Sequence, residues 1–225
     1  MLPRLVVHNM LSVDGRMDWF TPDLGIYYDV ASRWNVDAIL SGSETILVGL
    51  ADPEAQPEDL ESDSSQEGGQ RPRTGPLMVI ADSRGRIRQW APLRNQPYWR
   101  DALALVSRAT PEEYLAHLEG EGVEFILTGE DRVDLRASLE ELYSRYGVES
   151  IRVDSGGTLN GVLLREGLVD EISLLIHPCL VGGTTPRSLF VAPDLTSADD
   201  VIDVRLAHVE ELRDGVVWLR YEVIR

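Results

Sequence analysis

Short apolar runs that do not alternate with polar residues recur along this chain, at residues 5–8, 38–41, 77–81, 103–107, 124–128 and 150–154. A strand with one wet face alternates, whereas a strand covered on both faces is apolar throughout. Turn residues or helical patterns bound each run, which favours strands over buried helices. Between the runs, Thr110-Pro111-Glu112-Glu113 reads as a capping box with Pro at the first helical position, and that helix stops at Gly120. Asp134 caps a second helix, with Leu135, Leu139, Leu142 and Tyr146 along one stripe. Residues 28–35 read as a helix ahead of the second strand. Later runs at 171–177, 201–212 and 216–224 follow, the last two joined by the hairpin signal Arg213-Asp214-Gly215. Strand–helix alternation closed by a hairpin predicts an α/β fold. It is an open, mostly parallel sheet with flanking helices and a C-terminal antiparallel hairpin.

Sheets of this kind collect ligands at the carboxyl ends of their strands. Three segments carrying candidate chemistry follow strands here. Val153-Asp154-Ser155-Gly156-Gly157-Thr158-Leu159 leads from an apolar run through paired glycines into a helix at 159–166. Glycines allow backbone N–H groups to approach a phosphate, and the helix dipole favours the anion. Thr158 adds a hydroxyl, but the glycines also serve a tight strand–helix turn. The spacing is not G-x-G-x-x-G. The first run is followed by Asn9-Met10-Leu11-Ser12-Val13-Asp14-Gly15-Arg16, in which Asp14-Gly15 is also an ordinary turn pair. The second runs through Asp37-Ala38-Ile39-Leu40-Ser41-Gly42-Ser43-Glu44 to Thr45, a hydroxyl that either binds phosphate or caps a helix. Ser83 holds the comparable position after the third run, with Arg84 and Arg86 beside it. That basic turn either meets a 2′-phosphate or is simply solvated.

Composition narrows the functional classes. At 225 residues the chain suits one large domain or two small ones, and 43% hydrophobic residues is ordinary for a globular protein. A net charge of −17 opposes nucleic-acid and anionic-membrane partners. No apolar stretch is long enough to span a bilayer, and Met1-Leu2-Pro3-Arg4 carries no signal-peptide pattern. The single cysteine, Cys179, rules out an intrachain disulfide framework and makes a reducing cytoplasm the expectation. It lies at an apolar strand end and reads as a buried, inert thiol. The chain has no lysine. Schiff-base, pyridoxal-phosphate and P-loop chemistry are therefore excluded, and phosphate must be held by Arg or by backbone. His8, His117, His177 and His208 lack metal-ligand spacing, so no metal is expected. Residues 51–70 are acidic, rich in Pro, Ser and Gly, and read as a surface loop without a basic residue.

The ordered motifs resemble the reductase of riboflavin biosynthesis, found also as the C-terminal half of bifunctional deaminase-reductases. The quoted segments match S-L-D-G, D-A-I-L-x-G-x-x-T and E-G-G-x-T-L. Gly167-Leu168-Val169-Asp170-Glu171 with residues 178–183 matches G-L-V-D-E followed by P-x-x-x-G-G. The resemblance covers most of the chain and implies a single reductase domain over 1–225 with a dihydrofolate-reductase-like fold. It also implies NADPH as cofactor, a small-molecule substrate and a homodimer, for which the C-terminal hairpin is a candidate contact. Met10, Thr45, Ser83, Gly156, Gly157, Thr158 and Leu159 would contact the cofactor. Ser12, Asp14, Arg33 and Asp154 would contact the substrate.

Arg33 lies twelve positions before Thr45, the family spacing of a substrate-binding Arg. Asp154 stands where the family has Glu, and His8 where the bifunctional branch commonly has Lys. His8 is either a proton donor to the substrate or a core histidine satisfied by a neighbour. The chain departs from the family after Thr45. Asp52-Pro53 matches D-D-P only with a shift, and the phosphate-gripping Arg that should follow is missing. Arg71 and Arg73 are the candidates to replace it. The implied reaction reduces the ribosyl group of a 5′-phosphoribosylaminopyrimidine to ribityl. A reductase acting on an unphosphorylated pterin-like or other imine or carbonyl compound is the second reading. A non-catalytic nucleotide-binding protein on the same fold is the third.

Overall fold

A computed structural model describes residues 1–51, 74–184 and 188–225. The chain divides into two compact units, Met1–Val36 with Leu142–Arg225, and Asp37–Glu141.

Among the described residues the first unit is built on five strands: β1 (Arg4–Ser12), β6 (Ser150–Val153), β7 (Glu171–His177), β8 (Val204–Glu211) and β9 (Val217–Val223). They lie in the order β6-β1-β7-β9-β8. β1 is parallel to both neighbours, with Leu5 opposite Ile151 and His8 opposite Ser173. β9 turns antiparallel onto β7, and β8 onto β9. The hairpin joining β8 and β9 turns at Asp214 and Gly215, whose φ angles are 60° and 73°. Leu5, Val7, Ile151, Val153 and Leu175 are wholly buried, as expected of strands covered on both faces.

Helix α1 (Leu24–Ala31) flanks this unit and opens on Asp23, whose carboxylate accepts the Ile26 N–H at 3.0 Å. The expected helix at 28–35 is thus displaced: it starts at Leu24 and ends at Ala31, with Arg33 beyond it in the turn. α6 (Gly157–Arg165) follows β6 directly.

The second unit places β2 (Ala38–Gly42), β3 (Leu77–Ala81), β4 (Asp101–Val106) and β5 (Phe125–Leu127) in the order β5-β4-β3-β2. All of their pairings are parallel. Helices α2 (Ser43–Ala51), α3 (Trp90–Arg94) and α4 (Glu112–Gly120) belong to it, and α5 (Leu135–Tyr146) begins within it. Asp134 caps α5 through the Ala137 N–H at 2.9 Å. The capping box expected at Thr110 does not form. Its hydroxyl accepts the Ser107 N–H and donates to the Ser83 carbonyl, while Pro111 occupies the cap position. No helix among the described residues is long and apolar enough to cross a membrane.

Candidate active site

In the first unit, the parallel strands β1, β6 and β7 send three loops from their carboxyl ends. Asp14 fastens two of them together. Its carboxylate accepts the Ser12 hydroxyl at 2.7 Å and the Val181 and Gly182 N–H groups at 3.0 and 2.6 Å. These hydrogen bonds, the Ser12 hydroxyl first, hold its acidity far below the ordinary carboxylate range. The Val13 N–H to Cys179 carbonyl bond (2.9 Å) and an Arg16 contact to the Gly183 carbonyl add to the seam. Successive N–H groups in a glycine-rich turn form an anion-binding nest, and here the anion is Asp14.

Beside this seam lies a cleft of about 430 Å³ lined by Trp19, Phe20, Cys179, Leu180, Val181, Gly182 and Gly183. Cys179 is half-buried there, not sealed in the core as expected. β7 ends at His177, and Pro178 turns the chain outward.

At the end of β6, Asp154 is gripped by Arg152. Nε meets one carboxylate oxygen and Nη2 the other, both at 2.8 Å. Arg152 Nη1 donates to the Ala31 carbonyl at the C-terminus of α1, at 3.2 Å. Burial lowers the affinity of this guanidinium for its proton, and the Asp154 hydrogen bonds more than restore it. Tyr27 also reaches Asp154, and its ionisation is suppressed chiefly by burial.

His8 is fully buried between these groups and the core. Its Nδ1 lies 3.0 Å from the Ser173 hydroxyl, which also accepts the Trp218 indole N–H at 2.9 Å. Its ring stacks on Tyr27 at 4.5 Å. Burial pushes its pKa down to about 4, with the Asp154 charge opposing that shift, so the ring is neutral at physiological pH.

Met10, half-buried on the same strand, packs against a cluster including Ile26, Tyr27, Leu175 and Trp218. Arg33 is drawn to the hairpin, where it pairs with Glu210 at 2.9 Å and lies 4.6 Å over the Trp218 ring.

The glycine turn has a packing role that the sequence does not reveal. A Cβ at Gly157 would come within 2.2 Å of the Ser188 carbonyl oxygen, and one at Gly161 within 2.1 Å of the Val191 carbonyl oxygen. The segment around 188–191 therefore lies directly on α6, fixed by the Val191 N–H to Gly157 carbonyl bond at 2.9 Å. Gly156 is the N-cap and brings no side chain over the first N–H groups of the helix. Thr158 is exposed and Leu159 half-buried. Behind the turn, Asn9 and Asn160 both donate to the Ser155 carbonyl, at 2.9 and 3.1 Å, and Asn160 donates to Asn9.

In the second unit, Thr45 follows β2 and Ser83, Arg84 and Arg86 follow β3, and of these Arg86 reaches across to the start of α2. Asp82 shapes the loop after β3, accepting the Arg86 and Ile87 N–H groups and the Tyr114 hydroxyl at 2.7, 2.9 and 3.0 Å. Gly85 turns with φ of 63° tight against Tyr114, where a Cβ would come within 2.6 Å. Arg86 then reaches the start of α2, bonding the Ser43 hydroxyl at 2.9 Å and Glu44 at 2.5 Å. Thr45 is exposed in the first turn of the same helix. The Ser83 hydroxyl accepts the Val133 N–H at 3.0 Å, and Arg84 is exposed. Arg71, Arg73 and the acidic stretch from residue 52 lie outside the described residues.

Sequence reasoning missed Arg152, Tyr27, Asn9, Asn160 and Asp82. Arg152 did carry a signal: a charge inside a buried strand, two residues before Asp154 and so on the same face.

The family whose pattern matches this chain is the RibD C-terminal domain, over residues 3–218, a span that reaches into both units. A reductase of Archaeoglobus fulgidus is 34% identical over 190 residues, 81% of this chain and 84% of its own length. Its name is 2,5-diamino-6-ribosylamino-4(3H)-pyrimidinone 5′-phosphate reductase. A protein of the same name from Methanothermobacter thermautotrophicus is 27% identical over 231 residues, 96% of this chain and 97% of its own. Among solved structures, a pyrimidine reductase-like protein of Corynebacterium diphtheriae superposes with a TM-score of 0.73 at 20% identity, over 99% of this chain and 92% of its own. RibD of Acinetobacter baumannii gives 0.69 at 20% identity, this chain spanning 58% of that longer one. The fold is the expected dihydrofolate-reductase-like α/β fold with mostly parallel strands. Motif order, strand topology and a match over nearly the full length agree: the chain belongs to the RibD C-terminal domain family.

Proposed function

We propose that this chain is an NADPH-dependent reductase of riboflavin biosynthesis. Its substrate on this reading is 2,5-diamino-6-ribosylamino-4(3H)-pyrimidinone 5′-phosphate or the deaminated counterpart, whose ribosyl group becomes ribityl. The observation that carries the reading is the 34% identity to a reductase so named across 81% of this chain. The strand-end residues described above support it.

The chemistry that NADPH would supply is a hydride for the open-chain imine carbon of the substrate, with the proton coming from water. The protein's part is orientation and exclusion of water. The start of α6, with Gly156, Gly157, Thr158 and Leu159, offers backbone N–H groups to a pyrophosphate. Met10 would lie by the nicotinamide. In the other unit, Thr45 and Ser83, with Arg84 and Arg86, are by the family resemblance the candidates for the nucleotide phosphate. Its guanidinium groups fit a dianion that a lysine-free chain must bind without an ammonium. Asp154 accepts from the donor edge of the pyrimidine. Ser12 and Asp14 set the rim of the substrate site, and Arg33 holds the ribose phosphate once released from Glu210. His8 has a structural role, since it is buried, neutral and already partnered. The working form is a homodimer.

The test is NADPH oxidation followed by absorbance with the diamino and the deaminated ribosylaminopyrimidine phosphates. Turnover of either supports the reading. Absence of turnover, with NADPH binding intact by calorimetry, overturns the substrate while leaving the cofactor.

A further inference from the structure

Among the described residues Arg152 is the strongly buried guanidinium at this site, and the proposed function leaves it without a role. We propose that Arg152 is a positioning residue for the reaction, its planar fork locking the Asp154 carboxylate in place at the end of β6 for the substrate ring. The proposal rests on the reading of Asp154 as the residue that meets the pyrimidine.

Four observations carry it. First, Arg152 lies between Ile151 and Val153, both fully buried, and is itself only 8% exposed. A hydrophobic residue of similar volume is generally as stable in such a place as a buried ion pair, so stability alone does not explain an arginine there. Second, the pair is bidentate, with both carboxylate oxygens held at 2.8 Å. Such forks fix direction as well as distance, which a single ammonium contact does not.

Third, the arginine is anchored from behind. Its remaining Nη1 donates to the Ala31 carbonyl, at the negative end of α1. Fourth, the exposure is graded along the pair: the Arg152 side chain is 9% exposed and that of Asp154 21%. The carboxylate stands at the edge of the site with the guanidinium behind it. The fork occupies one acceptor position on each carboxylate oxygen, and Tyr27 reaches the same carboxylate. Aspartate is one methylene shorter than the glutamate of the family pattern. A short side chain held by a rigid partner from the same strand face has little freedom left to lose when the ring binds.

The experiment is steady-state kinetics with the diaminopyrimidinone phosphate and NADPH on wild type, R152K, R152Q, D154N and R152Q/D154N. The expected result for R152Q is a pyrimidinone KM raised about 10-fold or more, with the NADPH KM within about twofold of wild type. R152K keeps the charge without the fork and recovers only part of the loss. The double variant is no worse than D154N alone, because the arginine acts through the aspartate. A wild-type pyrimidinone KM in R152Q, or losses that simply add in the double variant, overturns the proposal. Should R152Q fail to fold, R152K decides: an unchanged KM overturns the role, and a selective rise of about threefold or more upholds it. An inactive wild type overturns the substrate reading, and this role with it. An active wild type with an unaffected R152Q overturns the positioning role alone.

Discussion

His8 sits on β1 without solvent contact, stacked on Tyr27 and bonded to Ser173. Its pKa is about 4 in the folded chain against 6.5 when exposed. The unfolded chain therefore binds the extra proton first as pH falls. Stability from this residue is fully present above pH 6.5 and declines down to about pH 4, where the folded form protonates too. The loss over that window is at most roughly 3 kcal/mol. Urea unfolding across pH should show the slope, and His8→Gln should flatten it. Arg86 offers a second prediction at this scale. Held between Ser43 and Glu44, it is on the proposed function a candidate for the 2′-phosphate. Arg86→Ala should raise the NADPH Kd about 10-fold and leave NADH within about twofold, measured by calorimetry. Residues of this kind were partly legible. Ser83 and Arg86 follow a recognisable strand. Arg152 showed itself only as a charge within the run at 150–154, because its partner, the Ala31 carbonyl, lies far away in sequence.

The elements were more legible than the side chains, and their errors have physical causes. β3 and β7 match the apolar runs at 77–81 and 171–177 end to end. β1 extends beyond its run to Ser12 because β7 continues to pair with it as far as His177. α1 ends at Ala31 because Arg33 and Trp34 are pulled to Trp218 on β9, a partner that no local pattern shows. Thr110 met the capping-box pattern, yet Ser107 and Ser83 had the stronger claim on its hydroxyl. On α6, glycine is required by packing as well as by any ligand. Gly161→Ala places a methyl against the Val191 carbonyl and should destabilise by about 1–3 kcal/mol in thermal or urea unfolding. Gly120→Ala, at the end of α4 with nothing within 4 Å, is the control and should be neutral or slightly stabilising.

At the scale of the molecule, β8 is the last strand of its unit's order and exposes Val204, Leu206 and Val209 at 41%, 52% and 59%. An uncovered edge strand with apolar side chains invites pairing. The proposed homodimer should use it: Leu206→Lys should shift the mass seen by light scattering from dimer to monomer, and an unchanged dimer would place the contact elsewhere. The same molecule carries a schedule for its own synthesis. Unit Asp37–Glu141 is continuous in the chain, whereas β1 pairs with strands that come much later, Arg4 opposite Ser150 and Val6 opposite Glu171. A ribosome therefore releases the parallel strands β2 to β5 of the inserted unit before β1 of the other has either neighbour. Nascent chains stalled after residue 141 should protect β2 to β5 from protease while the first 36 residues are still cut, so the earliest-made strand is among the last to fold.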